Sequence, residues 1–142
     1  MLIRVTGFNK QRKRLIQKAL KHFVSRLVER DISRHIVINV MRVPSSDEFI
    51  ATCGPISDCS REFDLDIYGH HSDRELLSTL AHEAVHIKQF ATRQLRNLKS
   101  PHLSRFANRN YDKRVMEYLD LPWEIEAHNM EEELARSFNE TD

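Results

Sequence analysis

Residues 82–86 read His-Glu-Ala-Val-His, and no other stretch restricts the fold of this chain as much. On a helix, His82 and His86 stand one turn apart on one face, so two imidazoles can share a metal ion. Glu83 beside them can reach a water on that metal. The spacing carries this meaning only within a helix, and the flanks supply one. Leu76, Leu77, Leu80, Ala84, Ile87, Phe90 and Ala91 recur near helical spacing, with no Gly or Pro between Ser72 and Ser100. Ser72 suits the N-cap, and Glu75 stands three residues on as its capping-box partner. A lone helical histidine is usually structural. Two histidines, the glutamate between them, a long helix and an apolar flank together predict a zinc site.

The 142 residues are enough for one domain, residues 1–142, with a real core. With 40% hydrophobic and 30% charged residues the chain reads as soluble and globular, not disordered. A formal net charge of +1 gives no general attraction to nucleic acid or membranes. No apolar run approaches spanning length, and Met1-Leu2-Ile3-Arg4-Val5 leads straight into polar residues, unlike a signal peptide. The expectation is a complete cytoplasmic protein with no membrane partner. Cys53 and Cys59 are the only cysteines. They make no disulfide framework, their spacing is poor for structural zinc, and two free thiols are expected.

In chain order, Leu2 to Thr6 reads as a short strand and Asn9 as the cap of a helix. That helix carries the stripe Leu15, Ile16, Ala19, Leu20, Phe23, Val24, Leu27 and Val28. Its basic residues read as a solvated face. Ile36 to Val43 is β-branched and reads as a strand inside a sheet. Glu48 to Cys53 reads as another, ended by Gly54-Pro55. Arg61 to Tyr68 alternates Phe63, Leu65 and Ile67 with Glu62, Asp64 and Asp66. That pattern predicts a half-exposed strand, placed at an edge and protected by its charges. After Phe90 the chain turns basic. It is expected to break at Pro101 and run as loop or short helix to Asp120. A last helix follows, with Pro122 in its first turn, Asp120 as cap, and Trp123, Ala127, Met130, Leu134 and Phe138 as its stripe. Glu124 and Glu126 flank that stripe, and either could point at a metal on the neighbouring helix.

This order of elements resembles the minimal core of the zincin metallopeptidases whose third ligand is glutamate, the gluzincins. In several such families that glutamate opens an E-x-x-A pattern, here Glu124-Ile125-Glu126-Ala127. The C-terminal segment is similar to the ImmA/IrrE-like and HtpX-like groups and to small metallopeptidase-like proteins of phage and bacterial genomes. The HtpX-like groups usually carry Asp after the alanine, where this chain has His128. The resemblance covers roughly Arg61 to Phe138. It implies an α+β fold: an N-terminal helix, a small mostly antiparallel sheet, the motif helix and a ligand-bearing C-terminal helix.

The resemblance further implies zinc held by His82, His86 and Glu124, with a fourth position open for water and Glu83 as general base in peptide hydrolysis. Glu126 and His102 are the alternative third ligands. His102 corresponds to the SprT-like metallopeptidases, which act on DNA-bound proteins and would give the basic residues from Arg93 to Arg114 a purpose. Glu126, Glu131 and Asp66 are candidates to hold the outer imidazole nitrogens. Tyr111, Tyr118, His102 and His128 are candidate oxyanion donors. The expected partner is a protein or peptide laid along strand 61–68. A regulatory zinc-binding module with little proteolysis is the rival reading.

Overall fold

The β-branched run after residue 36 becomes the inner strand of the main sheet. A computed structural model describes residues 1–57 and 61–140. The elements run β1 (Leu2–Thr6), α1 (Lys10–Leu27), a single turn α2 (Arg30–Ser33), β2 (Val37–Val43), β3 (Ala51–Pro55) and β4 (Glu62–Tyr68). There follow α3 (Asp73–Ala91), β5 (Leu95–Asn97), β6 (Leu103–Phe106), β7 (Arg109–Asp112), a 3₁₀ turn (Tyr118–Asp120) and α4 (Pro122–Glu140). The class is α+β, and β5, β6 and β7 form a small antiparallel sheet of their own.

The main sheet, ordered β1-β2-β4-β3, corrects the expectation of a mostly antiparallel one. β1, β2 and β4 are parallel, with Val5, Val40 and Leu65 in register, and only β3 runs antiparallel, against β4. The connection is the reason. α1 carries the chain from the end of β1 back to the start of β2, and such a crossover joins parallel neighbours. β4 is also not at an edge, because β2 and β3 cover both its sides. Its alternating acids mark a solvent-facing sheet face, where Asn39 Nδ2 donates to Glu62 Oε2 at 3.0 Å. β3 is the free edge near the motif helix. It starts and ends later than expected and includes Gly54 and Pro55, an edge strand being where a missing N–H is tolerated.

The covered face meets α1 and α3, and α4 packs on those two helices. Val5, Ile38, Val40, Phe63, Leu65 and Ile67 join Ile16, Leu20 and Phe23 of α1 and Leu76, Leu80 and Ile87 of α3 in one core. Asn9 Oδ1 caps α1 by accepting from the Arg12 N–H at 2.8 Å, and Ser72 Oγ caps α3 by accepting from the Glu75 N–H at 3.2 Å. α4 buries Trp123, Ala127, Leu134 and Phe138, and Phe138 reaches α1 with its ring 5.9 Å from that of Phe23. Asp120 belongs to the 3₁₀ turn, and it is the Leu121 carbonyl that accepts the Glu124 and Ile125 N–H groups at the start of α4.

The stretch expected as loop or short helix is the β5–β6–β7 meander. Ala107 and Asn108 turn the chain between β6 and β7 with φ of 49° and 69°, the left-handed pair a two-residue hairpin requires. Cys53 carries a free thiol, while the expectation for Cys59 lies outside the described residues. Among the described residues, no helix is long and apolar enough to cross a membrane.

Candidate metal centre

α3 turns its histidines toward α4 because its other faces are taken by the core. His82, Glu83 and His86 are 8%, 5% and 6% exposed, and the two Nε2 atoms lie 3.2 Å apart. Opposite them stands Glu124, in the first turn of α4 and 5% exposed. Its Oε1 is 3.0 Å from His82 Nε2 and its Oε2 is 3.1 Å from His86 Nε2. Ala127, fully buried one turn later, lets the two helices come this close. His128 stands one turn beyond Glu124, with its ring centroid 4.7 Å from that of His82. One ligand atom each from His82, Glu124 and His128 lie within 4.8 Å of one another, so these residues could hold a metal ion. A mixed imidazole and carboxylate donor set suits zinc.

The outer nitrogens decide whether the inner ones can ligate. Gln89, fully buried on α3, donates from Nε2 to the Trp123 carbonyl and to Glu126 Oε1, both at 3.0 Å. Both partners only accept, so the amide cannot be turned round. Its Oε1 must accept, and it does so from His86 Nδ1 at 2.8 Å. In the neutral ring the proton is thereby kept on Nδ1, which leaves Nε2 as the atom to ligate a metal; without a metal Nε2 holds a proton that it donates to Glu124. For His82 the holder is Glu131, whose Oε2 is 3.4 Å from Nδ1. This is the support that metal-binding histidines need, and the donor set fits a zinc ion on these grounds.

Without a metal the cluster is electrostatically tense. Burial pulls the His86 imidazolium down, yet its hydrogen bond to Glu124 and the charges of Glu83 and Glu124 outweigh this and raise its pKa to about 9. Burial would raise Glu124, but hydrogen bonds from His82, His86 and Tyr118 hold it well below the usual carboxylate range. Glu83 moves the other way: burial raises its pKa against the lowering charges of His86 and His82. The Tyr118 hydroxyl donates to Glu124 Oε1 at 2.7 Å, and burial and that bond raise the phenol's pKa.

Of the alternatives, Glu126 is turned away from the histidines and takes hydrogen bonds from Lys88, Gln89 and Gln94. His102 is exposed on the turn between β5 and β6. Asp66 lies on the sheet's other face, and Tyr111 packs on Trp123 with ring centroids 5.8 Å apart. The sequence reading missed Gln89, whose signal is its place three residues beyond His86 on the same helix face. No family model, curated protein or solved structure matches the chain, so no match assigns it to the zincins or to any group among them.

Proposed function

We propose that the protein is a zinc-dependent endopeptidase in which His82, His86 and Glu124 hold the metal and Glu83 is the general base. The observation that carries this reading is the convergence of the two Nε2 atoms and the Glu124 carboxylate within 3.3 Å, beside a carboxylate with a raised pKa. Zinc bound there would supply a Lewis acid that lowers the pKa of a water and polarises the carbonyl under attack. Glu83 accepts the proton of the attacking water and passes it to the departing amine nitrogen. Its desolvated carboxylate suits the double task, since a pKa raised from the carboxylate range toward the working pH favours uptake while keeping return within reach. Gln89 and Glu131 hold the imidazoles in place throughout. Tyr118, 55% exposed at the rim, is the best-placed donor for the developing oxyanion.

The substrate edge moves from residues 61–68 to β3. An extended peptide can add to a sheet only where backbone groups are unpaired, and β4 has none to offer. β3 lies near the base: the Glu83 charge helps burial to raise the pKa of the Cys53 thiol. A SprT-like reading draws no support from His102, which is exposed and outside the cluster. The test is a broad peptide library offered to the zinc-loaded protein and to its Glu83→Gln variant. One zinc in each and cleavage only by the parent is the expected result. Equal cleavage by both would refute the mechanism. Zinc in both and cleavage by neither would favour the regulatory module.

A further inference from the structure

Each helix at the centre offers donors one turn apart: His82 and His86 on α3, Glu124 and His128 on α4. Resting on the metal-site reading above, we propose that His128 is a fourth protein ligand, which closes the zinc site against water and makes the protein latent until this one side chain swings away. His128 is partly exposed, yet its ring is folded back toward the cluster. Its ring lies 4.7 Å from that of His82, and it shares a ligand-atom cluster with His82 and Glu124. Glu131 engages both rings with one carboxylate, Oε1 2.9 Å from His128 Nδ1 and Oε2 3.4 Å from His82 Nδ1. His128 Nε2 is thereby left with its lone pair, the same preparation seen at the other two histidines.

Mobility separates the fourth donor from the rest. The side chains of His82, His86 and Glu124 are 10%, 8% and 7% exposed, while that of His128 is 44% exposed. The first three cannot leave without disturbing the packing of α3 on α4. His128 can change rotamer at the surface and lose only its contacts to Glu131 and His82. Four protein donors complete the tetrahedral sphere that zinc takes in closed structural sites, whereas hydrolysis needs three and a vacancy. The occupant that displaces His128 is therefore the peptide substrate arriving over the rim. Latency of this kind needs no propeptide.

The test counts imidazoles. Zinc-edge absorption fine structure of the zinc-loaded full chain should show three imidazoles, and that of His128→Ala should show two. Zinc affinity, read by competition with a chromophoric chelator, should fall at least ~10-fold in the variant. Its peptidase rate at low substrate should rise. Two imidazoles in the unmodified chain, with affinity unchanged by the substitution, would overturn the closed form and leave the three-ligand site intact. No zinc uptake by the unmodified chain would remove both readings. The count in the unmodified chain does not depend on the variant folding.

Discussion

The two helices that meet at the candidate metal centre bring their donors by different means. On α3 the pair His82 and His86 is set by four residues of helix, and it would keep its spacing in any protein where that segment is helical. On α4, Glu124 reaches the same point 38 residues after His86, beyond a separate three-stranded sheet. Nothing local places it there. Trp123, Ala127, Leu134 and Phe138 do so by burying one stripe against α3 and α1. One half of the centre is thus a property of a helix and the other a property of packing, and the two halves should fail differently.

The largest effect belongs to α3. Glu83→Gln should lower kcat/KM for peptide cleavage by about 10³-fold, within the range general acid–base catalysis contributes. Zinc stoichiometry should not change, and the metal-free protein should melt no lower, since a carboxylate whose charged form burial disfavours is removed. Next comes the packed half. Glu124→Ala should weaken zinc binding by more than the ~10–100-fold typical of losing a supporting group, and lower Tm in zinc. An unaltered Kd in the chelator competition would show that Glu124 is not a ligand. Between the halves stands Gln89, which ties His86 on α3 to Trp123 and Glu126 on α4. Gln89→Leu should cost about 10–100-fold in zinc affinity.

A pH titration sharpens the same comparison. In the metal-free protein the His86 pKa of about 9 lies above the ordinary 6.5. The folded state therefore binds the extra proton, and the stabilisation from this group is complete below about pH 6.5 and lost as pH rises through about 9. Chelator-treated protein should show a Tm that falls across this window, and Glu124→Ala, which removes the hydrogen bond that raises His86, should flatten the fall. The smallest effect is expected at His102, exposed on the β5–β6 turn. His102→Ala should leave zinc affinity and Tm within error, and a clear loss of zinc would reopen the SprT-like reading.

Much of the fold is written in period and caps. The stripes of α1 and α4, the Ser72 and Asn9 caps, and the alternation of Phe63, Leu65 and Ile67 are local patterns, legible without a structure. The alternation in β4 also shows where such reading stops. Period two says that one face is wet and is silent on how many neighbours the strand has, so acids on an outer face read as an edge. The meander was hidden for another reason. Its strands are three or four residues long, its outer positions are arginine and asparagine, and the β6–β7 turn places alanine at a left-handed φ, which no turn preference signals.

By itself the sequence determined the geometry between His82 and His86, the place of Glu83 beside them, and the helices that carry every donor, because helix spacing is a property of consecutive residues. Only the tertiary structure decided that Glu124 and not Glu126 faces the imidazoles, since the two differ by little in sequence and by about 200° around α4. It also decided the direction of the strands, the free edge at β3, the orientation of the Gln89 amide and the approach of His128 to the cluster. These depend on which surfaces bury each other, and burial is settled by the whole chain at once.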